Sequence, residues 1–215
     1  MFNYQRMIKS FAFVTIFLLS AFNIGYASTE EEATTRGYEL AKKHQWKEAI
    51  EEYNLAIAAN PNFVKAYNMR GNAYYFYGDY GQAIYDFNKA IELAPNDAEG
   101  YFNRGGMQFG KVSMDQVITD FNKAIELNPN FDKAYVSRGY VYYKKNNLDQ
   151  AIADYTKAIG INPRLVIAYN YRAEAYLAKK DYNKSWEDVH TVQSFGATAD
   201  PAFLAKLKKA SKREE

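Results

Sequence analysis

The chain contains no cysteine. That excludes disulfides, thiolate chemistry, a zinc–thiolate centre and a lipid-modified N-terminal cysteine. Proline is scarce, at five in 215 residues, while 48% of the chain is apolar. Such a composition buries a core and does not suit a disordered chain. Histidine occurs only as His44 and His190, far apart, and neither sits in a nucleophile or metal-ligand motif. There is no phosphate loop, no HExxH and no Gly-x-Ser-x-Gly. We therefore expect no enzymatic activity and no cofactor. An excess of one charge is missing as well. Of the 27 lysines and arginines, Arg6 and Lys9 lie in an N-terminal segment expected to be removed, and the rest equal the 25 acidic residues in number. Nucleic-acid binding draws on counterion release at clustered basic side chains. A neutral chain without such a face argues against that partner.

Long apolar runs are few. One, Phe11 to Phe22 (FAFVTIFLLSAF), follows Arg6 and Lys9 and precedes Gly25-Tyr26-Ala27. This is the layout of a secretory signal over residues 1–27, with cleavage after Ala27. A spanning helix needs about 20 apolar residues, and Asn23 closes this run early. The mature chain is expected in the periplasm or outside the cell, with no stable membrane span. An uncleaved N-terminal membrane anchor is the alternative. Directly after the cleavage site, Ser28 with Glu31 and Thr29 with Glu32 have capping-box spacing, so a helix is expected to start there.

What the chain has in quantity is a repeat. Pro61, Pro95, Pro129 and Pro163 stand 34 residues apart. Between two of them, Tyr67, Gly71 and Tyr74 form one helical stripe, and Ala83, Ile84, Phe87, Ala90 and Ile91 form another. Gly78 can make the turn between these helices and Asp79 can cap the second. Ser113, Asn147 and Asp181 stand where Asp79 does, and are expected to cap in the same way. Asn60-Pro61-Asn62 and Asn128-Pro129-Asn130 suit the other turn, with asparagine also placed for the next cap. Small residues recur on first helices (Gly37, Gly71, Gly105, Gly139, Ala173) and on second helices (Ala49, Ala83, Ala151). They let two antiparallel helices approach, with Tyr53, Phe87, Phe121 and Tyr155 filling the wedge.

Arg70, Arg104, Arg138 and Arg172 share the period, and each precedes an aspartate (Asp86, Asp120, Asp154, Asp188) by 16 residues. The spacing predicts a structural ion-pair ladder inside the hairpins, and the competing reading is a row of arginines open to an anionic ligand. The third repeat departs from the rest. Gly105-Gly106-Met107-Gln108-Phe109-Gly110 puts three glycines in one predicted helix, and Val117 replaces the usual alanine. A flexible middle and tolerated drift are both compatible with this.

On the 34-residue period, the small residues, the aromatics and the closing prolines, the chain resembles the tetratricopeptide repeat family. The resemblance implies an all-α, right-handed solenoid with first helices lining a concave face. Five units are expected at residues 30–63, 64–97, 98–131, 132–165 and 166–199, within an array spanning 28–199. The fifth departs at Ser185, Val189 and Val192 and has no closing proline. Asp200-Pro201 then opens a terminal capping helix and tail over 200–215. Its lysines also permit a membrane-surface reading.

By the same resemblance, the concave face receives Asn68, Asn72, Tyr75, Phe102, Asn103, Lys133, Val136, Ser137, Tyr140, Asn170 and Tyr171. Asparagines can bond an extended backbone in both directions, and tyrosines cover apolar side chains at low entropic cost. Family members that clamp a peptide carboxylate use two asparagines and three basic residues. Asn72, Asn103 and Lys133 match, but Asn68 and Ser137 stand where the other two basic residues would be. The expected function is a non-catalytic scaffold holding a protein or peptide in its groove. A solvated inner face without a ligand, a self-associating structural protein working through another surface, and a small-ligand binder or enzyme using the tyrosine-rich groove are the alternatives. The sequence leaves partner identity and oligomeric state open.

Overall fold

The computed structural model describes residues 29–110 and 112–213. The segment read as a secretory signal, and Ser28, lie outside the described residues. Among the described residues, eleven helices follow one another in five antiparallel pairs with one to spare: α1 Glu30–Lys42 with α2 Trp46–Ala59, α3 Val64–Tyr77 with α4 Tyr80–Leu93, α5 Ala98–Gln108 with α6 Met114–Leu127, α7 Asp132–Lys144 with α8 Leu148–Ile161, α9 Val166–Ala178 with α10 Tyr182–Ser194, and α11 Pro201–Ser211. No strand occurs among the described residues. Each pair stacks on the next, so the architecture is an all-α solenoid.

Local chemistry starts and stops these helices. Thr29 and Glu32 close a full capping box on α1, and Ser113 and Gln116 close one on α6. Asp79 and Asp181 cap α4 and α10 as expected, whereas the Asn147 side chain makes no cap bond. The turn inside each pair needs one residue in the left-handed region, and the position recurs as His44, Gly78, Asn146 and Lys180. In the third pair that position is Val112. A β-branched residue resists positive φ, and Gly110 takes it instead, at φ 80°. Consequently α5 ends at Gln108, and Gly110 lies beyond the helix into which the sequence reading had placed it. Gly100 is the third helical glycine in its stead.

Three of the turns between pairs are Asx turns, and the one at Ala94-Pro95 has no side-chain acceptor. The side-chain oxygens of Asn60, Asn128 and Asn162 accept the backbone N–H two residues on. The next helices begin at Phe63, Phe131 and Leu165 without a side-chain cap, so the asparagine after the proline does not serve as one. Tyr67, Tyr101 and Tyr169 donate their hydroxyls to the carbonyls of Pro61, Pro95 and Pro163, tying each first helix to the turn before it.

Packing inside a pair depends on a glycine opposite a ring. A Cβ on Gly37, Gly71 or Gly139 would lie 2.6, 2.8 or 2.7 Å from the ring of Tyr53, Phe87 or Tyr155. In the fifth pair both partners change together: Ala173 faces the shorter Val189, beside Trp186. Ser185, another departure there, donates its hydroxyl to the Ala173 carbonyl at 2.8 Å. The arginine–aspartate ladder is present throughout. Arg70, Arg104, Arg138 and Arg172 each grip one aspartate with two nitrogens, at 2.7–3.0 Å. The third guanidinium arm reaches back to Asn54, Asn88, Asn122 or Thr156 of the preceding pair. Asp86 is fully buried. These arginines are thus committed within and between pairs.

After α10, Phe203 and Leu207 of α11 bury themselves against Ala173, Trp186 and Val189. Trp186 donates its indole N–H to Ser211 at 3.1 Å. The last helix thereby covers the apolar end of the stack. No helix of the described residues is long and apolar enough to cross a membrane.

Candidate binding groove

First helices of successive pairs lie side by side and line one face of the solenoid. Their contact is thinnest between α5 and α7. A cavity of about 250 Å³ opens there, lined by Phe109, Val136, Ser137, Tyr140, Ile167 and Tyr171, with Phe121 and Val141 beneath. A second cavity, of about 200 Å³, lies between α3 and α5 and is lined by Asn72, Tyr75, Phe76, Phe102, Asn103 and Met107. Gly106 borders both. A Cβ on Gly106 would meet nothing within 4 Å. The equivalent residues one repeat earlier and later are Asn72 and Tyr140, both groove-lining. No side chain therefore stands between the two cavities at Gly106, and together their walls, called the trough below, span four pairs.

The trough is apolar with polar points. Phe109, Tyr140 and Tyr171 form a ring row, with centroids 5.5 and 5.4 Å apart. Burial pushes the titration of Tyr171 up, and its neighbours Tyr140 and Glu174 add to the shift. Lys144 places its ammonium 5.8 Å from the Tyr140 ring.

The residues predicted for this face divide. Asn72, Tyr75, Phe102 and Asn103 meet in the smaller cavity, and Val136, Ser137, Tyr140 and Tyr171 in the larger. Asn68 is buried and accepts a long hydrogen bond, 3.5 Å, from the Asn103 amide. It underlies the trough without lining it. Lys133 is exposed on the first turn of α7, and Asn170 is half-buried on α9, and neither lines a cavity. The clamp-like set is accordingly split, with two asparagines in one cavity, Ser137 in the other and the single lysine outside both. Phe76, Gly106, Met107, Phe109 and Ile167 were not among the predicted residues. Register contained the signal for three of them, since Ile167 follows Lys133, Phe109 follows Tyr75 and Gly106 follows Asn72, each by one repeat.

His44 lies exposed in its turn, 5.3 Å from the Trp46 ring, and His190 stacks on Trp186 at 5.7 Å, near the opposite end of the stack.

Comparison with known proteins agrees with the fold. The tetratricopeptide repeat model matches residues 64–97 and 132–165, and a TPR repeat model matches residues 37–76. No curated protein matches the chain at a significant level. Among solved structures, MamA is 27% identical, with 82% of this chain and 96% of that chain covered and a TM-score of 0.62. PilW, described as a widely conserved type IV pilus biogenesis factor, is 18% identical, covering 86% of this chain and 87% of its own at a TM-score of 0.77. YrrB, described as a TPR protein with an unusual peptide-binding site, is 18% identical, covering 90% and 97% at a TM-score of 0.61. The likeness to PilW and YrrB is one of fold. The chain carries tetratricopeptide repeats and folds as the all-α solenoid that such repeats build.

Proposed function

We propose that this protein is a non-catalytic scaffold of the bacterial cell envelope that holds a peptide or protein segment in the trough along its first helices. The observation that supports it best is the open space at Gly106, which borders two neighbouring side-chain-sized cavities lined by rings, asparagines and a serine. Rigid helices present these groups, so little ordering is required on binding. The ring row suits apolar side chains, and Asn72, Asn103 and Ser137 suit a ligand backbone. The envelope assignment rests on Arg6, Lys9, the Phe11–Phe22 run and Gly25-Tyr26-Ala27. Lys133 lies outside the cavity that holds Asn72 and Asn103, which argues that a free carboxylate is not the feature recognised.

Site-specific photocrosslinking in envelope extract tests this. Benzoylphenylalanine replaces Gly106 in one variant and Gly160 in another. Gly160 is exposed on α8, outside the trough, and also has open space around it. We expect one partner to crosslink from position 106 and not from 160. Capture from 160 alone would place the working surface off the trough. Capture of a second copy of the chain from 160 would support self-association instead.

A further inference from the structure

Beyond Tyr140 and Tyr171 the same two first helices border another cavity. One turn further along α7 and α9, about 5.4 Å of helix rise, lies a third cavity of about 250 Å³. Its walls are Tyr143 from α7, Glu174 and Leu177 from α9, and Asp200, Phe203 and Lys206 at the start of α11. Glu174 stands one repeat after Tyr140 and two after Gly106, so it holds the same register position in the fifth pair.

Glu174 differs from the other intramural carboxylates. Each ladder aspartate has a guanidinium on it. Glu174 takes part in no salt bridge of the described residues, although it is only partly exposed. Burial raises its pKa and Asp200 raises it further, while Lys206 and Lys144 oppose the shift without closing a bond. Asp200 is itself occupied, accepting the backbone N–H groups of Ala202 and Phe203 at the cap of α11. It contributes negative potential but is not free to take a ligand. A second group in this corner also lacks a partner. The Tyr155 hydroxyl is buried without a hydrogen bond. Its ring centroid is 5.8 Å from that of Tyr171, and Glu174 and Tyr143 are among the groups that push its titration upward.

We infer that this cavity is a subsite for a cationic side chain, so that the segment held in the trough carries a lysine or arginine beside its apolar anchor. The inference rests on the trough being the binding surface. A half-buried, unpaired carboxylate gains most from a cation delivered by the ligand, because part of its hydration is already lost. Tyr143, Leu177 and Phe203 give the alkyl stem apolar cover, and the rings attract the charge. Lys206 and Lys144, both exposed, are the competing cations. The ligand's cation takes the position that Lys206 approaches but does not fill.

The test uses a positional-scanning library of N-acetylated, C-amidated nonapeptides, which removes terminal charges, captured on the mature chain. The expected pool combines an aliphatic or aromatic position with lysine or arginine at one fixed offset, at about tenfold over norleucine or glutamine there. In Glu174→Gln, with unchanged melting, the basic preference falls at least about fivefold while the apolar one stays. In Lys206→Met the basic preference rises. Apolar enrichment without a basic preference, or a basic preference unaltered in Glu174→Gln, overturns the subsite and leaves the trough reading standing. No enrichment of any pool overturns the trough reading, and the subsite with it.

Discussion

Gly71 and Gly139 look out at rings, and Gly106 looks out at open space. The same residue type on the same helices therefore responds in opposite ways to one added methyl group. Gly139→Ala forces its Cβ to 2.7 Å from Tyr155, a fully buried ring. Overpacking of that kind costs about 1–3 kcal/mol. Gly106→Ala has no such neighbour and gains helix propensity, about 1 kcal/mol. Urea unfolding of the two variants beside the parent should show midpoints moving in opposite directions. If Gly106→Ala is also destabilised, the space around Gly106 is not open. Tyr155 shows the limit of the pattern. Burial raises its titration beyond the ordinary tyrosine range, and its hydroxyl has no partner, whereas Phe87 and Phe121 fill the equivalent wedges with no polar atom. The Tyr53 hydroxyl, half-way between these cases, is pushed up to about 12 by burial.

At the level of helices, the arginine–aspartate pairs join two levels of packing, since each guanidinium bridges its own hairpin and the preceding one. Asp120→Ala leaves Arg104 without its main counterion inside the stack. We expect a loss of about 3 kcal/mol in thermal or urea unfolding. A double change to Arg104→Met and Asp120→Leu should recover most of that, because an apolar pair removes both desolvation terms. Unchanged melting in Asp120→Ala would remove the structural assignment. The third hairpin is the thinnest part of the array. Val112 cannot adopt the left-handed turn, α5 is shortened to 11 residues, and the junctions on either side are the least packed. Amide hydrogen exchange should accordingly release α5 before α3 and α7. Uniform protection across the three would show that stacking makes up for the glycines.

Across the whole molecule, the closing helix and the trough meet at Glu174. Its carboxyl titrates above the usual 4.5 in the folded chain because burial disfavours the anion, and Asp200 adds to this. A group with a raised folded pKa holds its proton more firmly when folded. Its contribution to stability is fully present below 4.5 and is lost as pH rises through the raised value. Urea unfolding from neutral pH down to about 4.5 should therefore stabilise the parent relative to Glu174→Gln, which has nothing to titrate there. Parallel profiles would show that Glu174 is solvated like a surface carboxylate.

Much of this architecture was readable before any coordinate. A 34-residue period, a glycine opposite each ring and an arginine 16 residues ahead of each aspartate follow from residues within one repeat, or from their immediate neighbours in it. Local propensity and short-range packing are enough to decide them, so helices, turns and ladder could be placed by counting. The trough was readable only in part. Family resemblance assigned Asn72, Asn103, Tyr140 and Tyr171 to the face of the first helices, but left open which of them share a cavity and which, like Asn68 and Lys133, fall beneath or outside it. That depends on the separation of α5 and α7, on the space left by Gly106, and on where α11 folds back to enclose Glu174. Each is set by how whole hairpins rotate and pack on one another, a property that no single repeat contains.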